Sequence, residues 1–232
     1  MNLKRRITHY VIGIFVMALG VVTISRAEVG SSPVSTLPFA MSKLVQQLTF
    51  GWWTTIYNAL CIVPQIIIIR KLTLKTLLQL PLAYVFGRII DMYVFLYGLL
   101  PFVVKELNYP LRLVFCIAGI VISALGVTII VGADLMLPPP DALMRAYSGH
   151  FSKKLSACKI AFDFLWVLLT AVACVIFALA RTGGLTWSDI YAINVGTVIS
   201  VVFSGMTIGF FKKIFPKLDL GLMPDKTLLG KK

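Results

Sequence analysis

Two pairs of opposite charges lie within apolar stretches long enough to cross a lipid bilayer. Arg88 and Asp91 are three residues apart, and Lys159 and Asp163 are four apart, so each pair shares one helix face. A charge near the middle of a membrane costs about 2.5–3.5 kcal/mol, and such residues normally pair or line a pathway. These pairs, with Asn58 at a position nearly matching Asp163, are candidates for a substrate site. Structural salt bridging is the alternative.

Three further acidic residues lie in proline-bearing polar segments that follow two of the apolar stretches. Glu28 precedes Pro33, whereas Asp134 and Asp141 flank a run of three prolines. Proline is favoured at the first position of a helix, so we expect a short extra helix in each segment. Its N-terminus could offer free N–H groups to an anion, which makes the three acids further candidates for substrate binding. An ordinary loop helix is the alternative, and the pattern leaves open whether these segments are re-entrant or interfacial.

Other residue types give little support for catalysis or metal binding. His9 and His150 have no metal-ligand companion at helical spacing, and no nucleophile with a base can be assembled nearby. The sequence therefore predicts no enzyme, no catalytic residue, no metal and no cofactor. Four widely spaced cysteines are expected to be buried apolar side chains: Cys61, Cys116, Cys158 and Cys174.

The composition is that of a protein whose solvent is lipid. Of the 232 residues 59% are hydrophobic and only 13% are charged, and the mean hydropathy is +0.92. Soluble globular proteins carry about 25% charge, and disordered chains combine low hydrophobicity with high charge, so both classes are excluded. The net charge of +13 is scattered over short loops. It therefore indicates a lipid bilayer as partner and not nucleic acid.

Six apolar runs predict an all-α polytopic membrane protein with six transmembrane helices. They cover about 8–27, 54–69, 76–103, 112–132, 157–180 and 190–211. With the N-terminus in the cytoplasm, the cytoplasmic segments hold 16 basic residues and the opposite side holds five. The positive-inside rule therefore places both termini in the cytoplasm.

The sequence repeats itself at an offset of 106 residues. Residues 13–42 and 119–148 share 12 identities, among them Gly20 with Gly126 and Pro33 with Pro139. The second copy lies in mid-chain, so the first is expected to be a retained helix and not a cleaved signal peptide. Because each half holds three spans, the second half enters from the opposite face. We therefore predict two inverted three-helix repeats, 1–106 and 107–232, the latter with a basic cytoplasmic tail, and each with a short extra helix after its first span.

Several of these elements resemble a known family. The residues Ala27-Glu28-x-Gly30-x2-Pro33, the counterpart from Ala133-Asp134 to Asp141-Ala142-Leu143, and the run Lys159 to Asp163 are similar to those of the bacterial YczE/YyaS/YitT group of integral membrane proteins. The resemblance covers about residues 8–215. It implies a bacterial inner-membrane location and no established substrate.

Inverted repeats are the usual build of secondary transporters, which bind substrate near the bilayer midplane. The leading hypothesis is a small secondary transporter or permease of an unidentified small molecule or ion. The alternative is a membrane protein that does not transport but binds or supports a partner complex. Ser200 is a weaker candidate for the polar lining, and the spacing of Gly205 and Gly209 is compatible with a homodimer.

Overall fold

A computed structural model describes residues 2–99, 104, 107–180, 192–201 and 203 of the chain. Within these residues every regular element is helical, as the sequence predicts. Seven helices can be bounded: α1 (Leu3–Arg26), α2 (Pro33–Leu44), α3 (Phe50–Ile69), α4 (Leu74–Gly98), α5 (Tyr109–Ala133), α6 (Pro139–His150) and α7 (Leu155–Ala180). Residues 195–201 are helical as well.

Five of these helices are long and apolar enough to cross a membrane. They are α1, α3, α4, α5 and residues Ala157–Ala180 of α7, and each has between 20 and 25 residues, where a bilayer core requires about 20. They coincide with the first five predicted spans. The sixth predicted span, 190–211, lies mostly outside the described residues, as does the glycine spacing behind the homodimer prediction.

The helices extend beyond the apolar runs because polar residues set their ends. Helix α3 begins at Phe50, four residues before the predicted span, since the Thr49 side chain accepts a hydrogen bond from Trp52 N at 3.3 Å. Such capping satisfies a backbone donor that the first helical turn leaves free. Hydropathy records where a helix enters lipid and not where its hydrogen bonding starts.

Helices α1 and α5 are packed backbone to backbone through glycines. A Cβ added to Gly20 would lie 2.6 Å from Ser123 Cα, and one added to Gly126 would lie 2.6 Å from Met17 Cα. Rising residue numbers in α1 therefore meet falling numbers in α5, so the two helices run antiparallel. Gly13 makes an equally close approach to Ile130. Any side chain at these glycines would force the helices apart.

Arg6, near the start of α1, binds the end of α5. Its Nε donates to Ala133 O at 2.9 Å, and its Nη2 donates to Asp134 O and to the Asp134 carboxylate. The last carbonyl groups of a helix lack partners within the helix, and a cation there also complements the helix dipole. Arg6 thus closes one end of the α1–α5 pair.

Arg112, near the start of α5, binds the end of α1 in the same way. Its Nε donates to Ala27 O at 2.8 Å and its Nη2 to Glu28 O at 2.5 Å. Arg112 thus closes the other end of the pair, so α1 and α5 are joined at both ends as well as along their length.

Both short helices expected after the first spans are present, each with 12 residues and with proline in its first turn. Helix α2 packs against α7 and α3, and helix α6 packs against α3 and α7. Each short helix therefore contacts a long helix from the other half of the chain. This exchange brings the two proline-bearing segments into the middle of the bundle.

Candidate functional site

A cavity of about 130 Å³ lies in the middle of the bundle and is lined by residues from every helix bounded above, and by Ser200. Its walls are mainly aliphatic and come from the middle of α1 and α5 and from α4. Polar side chains enter it from α3, α6 and α7, where they include Asn58, Asp141 and Lys159. Three of the eight residues that the sequence singled out as substrate-binding candidates therefore line this cavity.

The first turns of α2 and α6 both line the cavity. Residues 32–35 come from α2 and residues 138–141 from α6, and Tyr57 and Asn58 from the middle of α3 line the same space. The two short helices therefore begin level with the middle of a long helix. They enter the bundle from the side instead of lying on its surface, which is the re-entrant arrangement that the sequence left open.

The extended segment before α2 is held by the helical residues after 195. Val29 O accepts a hydrogen bond from Gly196 N at 2.6 Å, and Ser31 N donates to Thr197 Oγ1 at 3.0 Å. Gly30 between them has φ of +132°, which favours glycine, and a Cβ there would lie 2.8 Å from Thr197 Oγ1. Backbone that is not helical is tolerated inside a membrane protein where protein groups satisfy it, as they do here.

Lys159 and Asp163 form the ion pair that their spacing predicts. Lys159 Nζ lies 2.6 Å from Asp163 Oδ1, and the Asp163 side chain is only 3% exposed. Lys159 lines the cavity, whereas Asp163 lies behind it. A carboxylate this deeply buried needs such a partner, because removing a charge from water is costly.

Asp141 lines the cavity without a hydrogen bond or an ion pair from any residue in the described part of the chain. Burial raises the pKa of its carboxyl above the usual range; Lys159 and Arg145 oppose this increase, and the negative charge of Asp163 adds to it. Asp141 is the third residue of α6, and the two residues before it are prolines, which have no N–H to donate.

Three further side chains place unsatisfied polar atoms at the cavity. Gln79 Oε1, Ser200 Oγ and Tyr57 Oη are buried and have no oxygen or nitrogen partner among the residues described here. The Cys61 thiol lies beside Tyr57. Buried polar groups are nearly always hydrogen-bonded, so unpaired atoms around one cavity indicate a missing water or ligand.

Asn58 belongs to the same surface but is partly satisfied. It is 4% exposed, and its Nδ2 donates to Thr54 O at 2.9 Å within α3. On the side away from the cavity, the ring of Tyr57 packs edge-on against Trp166 of α7, with ring centroids 5.0 Å apart. The polar wall formed by α3 is therefore held against α7 by an aromatic contact.

Arg88 and Asp91 form the predicted ion pair, at 2.7 Å, but do not line the cavity. The Asp91 carboxylate accepts hydrogen bonds from Gly51 N at 2.8 Å and from Thr49 Oγ1 at 2.7 Å. Asp91 therefore holds the N-terminus of α3, where a negative charge is favoured by the helix dipole.

The Arg88 guanidinium lies over the Trp52 ring, 4.6 Å from its centroid, and 5.6 Å from that of Tyr84. Trp52 and Tyr84 are both partly exposed on the outer surface of the bundle. The pair that the sequence places deep in a span thus lies at the start of α3 against aromatic side chains, a position typical of the membrane interface.

Glu28 and Asp134 also lie away from the cavity, at the ends of α1 and α5. Both have left-handed backbones, with φ of 50° and 48°. Their main-chain carbonyl groups bind Arg112 and Arg6. Their position in the repeat thus reflects the way each long helix ends.

Sequence reasoning did not single out Tyr57, Gln79, Arg6 or Arg112. Gln79 carried a usable signal, since it is an amide within an apolar run and such residues normally face a bundle interior. The arginines carried another, because they are related by the same offset of 106 residues as the rest of the repeat. The four cysteines are free and buried, as expected.

Long apolar helices around a partly polar central cavity define a multi-pass helical membrane protein. The chain belongs to the family of unknown function DUF6198, whose model matches residues 4–213. Neither the curated proteins nor the solved structures contain a significant match. The resemblance to the YczE/YyaS/YitT group remains a prediction.

Proposed function

We propose that the protein is a small secondary transporter or permease of a small molecule or ion, with the central cavity as its substrate site. The observation that carries this proposal is the convergence of the α2 and α6 first turns on one cavity with unpaired buried polar atoms. Transporters commonly build midplane sites from broken or short helices in this way.

We further propose that the chain consists of two inverted repeats with six spans, the sixth being 190–211. An offset of 106 residues carries Pro33–Leu44 onto Pro139–His150 and Leu3 onto Tyr109. It also exchanges the two glycine contacts of α1 and α5, and the two arginine contacts at their ends. These paired contacts support a two-fold axis that crosses the antiparallel helices. Alternating access would then follow from motion of one repeat against the other.

The proposed location is the bacterial inner membrane with both termini in the cytoplasm. It is supported by the charge asymmetry of the loops and by the resemblance of the sequence. Reporter fusions active on only one side of the membrane, placed after Ile69 and at the C-terminus, should both report the cytoplasm. A periplasmic report at either position would contradict the proposed orientation.

The experiment that tests transport begins with ligand binding. Purified protein in nanodiscs is screened for thermal stabilisation by small organic ions, amino acids and metabolites. A ligand of the folded state stabilises by about 2.7 kcal/mol at a concentration of 100 Kd. We expect a saturable shift that Gln79→Leu removes. Asp91→Asn, outside the cavity, should retain it.

Compounds that shift the melting temperature are then tested for flux in proteoliposomes. Uptake that requires Gln79 would support a transporter. Binding without flux would leave a receptor or a support protein. The absence of any shift, together with a copurifying partner, would instead favour the partner-binding hypothesis.

A further inference from the structure

Two carboxylates and one ammonium group meet where α6 and α7 approach the cavity. Lys159 is committed to Asp163 at 2.6 Å, while Asp141 has no ion pair within 4.0 Å among the described residues. Asp141 lines the cavity, and Asp163 does not. The carboxylate that a solute in the cavity can reach is therefore the one whose charge is not directly compensated.

The surroundings of Asp141 come from two neighbouring helices and from its own. The groups whose charges act on or with it are Tyr57 and Cys61 of α3, Lys159 and Asp163 of α7, and Arg145 of α6. The two cations favour the charged form of Asp141. Burial and the charge of Asp163 favour the neutral form, and burial makes the largest contribution.

The carboxyl group of Asp141 has no structural role comparable to that of Asp91. It accepts no hydrogen bond within the described chain, and the prolines before it leave few first-turn N–H groups to bind. The position related to it by the 106-residue offset is Ser35, whose hydroxyl is bonded to Ser32 Oγ at 2.7 Å. One half thus has a neutral, satisfied side chain where the other has a free acid facing the cavity.

The same cavity contains buried polar atoms that await a partner. Ser200 Oγ and Gln79 Oε1 are both more than nine-tenths buried and lack partners in the part of the chain described. They provide a donor and an acceptor through which water or a ligand can contact the Asp141 carboxyl. An acid in contact with an exchangeable solute can gain and lose a proton without any conformational opening.

We propose that Asp141 is a proton-binding residue of the cavity, neutral when the cavity is empty and ionised when it holds a ligand that compensates its charge. The step is an acid–base equilibrium: a carboxylate oxygen forms one O–H bond with a proton from water and returns that proton to water on ionisation. If the proposed transport function holds, on which this clause rests, the proton is its coupling ion.

The first experiment needs no substrate. Thermal unfolding in nanodiscs is followed as the pH rises from 4 to 8 for wild type, Asp141→Asn and Asp134→Asn. A group whose pKa is raised on folding stabilises the fold at low pH, and this contribution is lost as the pH rises through the raised pKa. Wild type should therefore lose several degrees relative to Asp141→Asn over this range.

The control Asp134→Asn changes a carboxylate that is 81% exposed and lies outside the cavity. It should show the wild-type pH profile. Asp141→Glu keeps the acid and covers the case in which the asparagine variant does not fold. The infrared band of protonated carboxylic acids should titrate at a different pH in Asp141→Glu than in wild type. An unchanged band, or a wild-type unfolding profile in Asp141→Asn, would overturn the assignment.

The second experiment addresses coupling. Proteoliposomes that contain a trapped pH-sensitive dye are exposed to each compound that stabilised the protein in the screen. Proton movement that accompanies uptake in wild type and is lost in Asp141→Glu or Asp141→Asn supports coupling. Uptake without proton movement overturns coupling. No uptake at all would count against the transport function and leave the substrate-free titration unaffected.

Discussion

The α1–α5 interface and the central cavity lie side by side, yet the 106-residue offset relates their parts very differently. At the interface, the two glycine contacts agree to 0.1 Å, since Gly13 and Gly119 would each place a Cβ 2.7 Å from an isoleucine Cγ1 and 2.9 or 2.8 Å from its nitrogen. At the cavity, related positions hold different chemistry, as with Ser35 and Asp141.

The difference shows which constraints act on each region. Where backbones touch, only glycine fits, so both copies require the same residue at the same place. Around a cavity, a side chain is limited by what fills the space and not by its neighbour's backbone. The interface is therefore a symmetric scaffold, and the asymmetric residues around the cavity are those to associate with function.

The largest expected effect comes from breaking the scaffold. Gly20→Val would drive a Cβ into the Ser123 backbone, which cannot move as a flexible side chain can. We expect a loss of at least about 3 kcal/mol of stability, enough to abolish a folded peak in gel filtration. Gly149→Ala is the control, because nothing lies within 4 Å of its Cβ. A folded Gly20→Val protein would show that α1 and α5 are not in backbone contact.

A smaller effect is expected beside the cavity. Lys159→Met leaves the buried Asp163 charge without its partner, and we expect a loss of up to about 3 kcal/mol in a chemical unfolding series. Adding Asp163→Asn removes that unpaired charge, so the double variant should recover part of the loss. Equal stability of the single and double variants would show that the pair contributes nothing to folding.

The smallest effect tests the symmetry of the scaffold directly. Arg6→Met and Arg112→Met each remove charge-assisted hydrogen bonds to a helix end, which are worth about 1.5–3 kcal/mol apiece in buried settings and less where exposed. We expect both variants to lower the melting temperature by similar amounts. Arg5→Met, on an exposed position of α1, should have little effect. Markedly unequal losses at Arg6 and Arg112 would break the equivalence of the two ends.

Hydropathy and spacing were sufficient to predict much of this fold. Five spans, both short helices and the pairs Arg88–Asp91 and Lys159–Asp163 follow from local patterns that act within one helix. The offset of 106 residues also indicated which helices would be related. These features depend on residues a few positions apart or on direct identity, which a single sequence records.

The location of the site could not be predicted in the same way. Arg88 and Asp91 stand deep in an apolar run, but α3 begins beside them, and no local pattern gives the relative depth of two helices. The depth at which α2 and α6 enter depends on their contacts with α7 and α3, more than 100 residues away for α2. Asp141 was therefore a candidate by composition alone, and only its position in the fold separates it from Glu28 and Asp134.

The exchange of short helices between the halves also bears on how the chain is assembled during synthesis. Helix α1 is complete about 100 residues before α5 emerges to meet it, and α2 precedes α7 by a similar distance. Contacts so far apart in sequence form late and slow folding. The early helices must therefore wait in the bilayer, with their glycine and polar faces uncovered, until the second half of the chain has been inserted beside them.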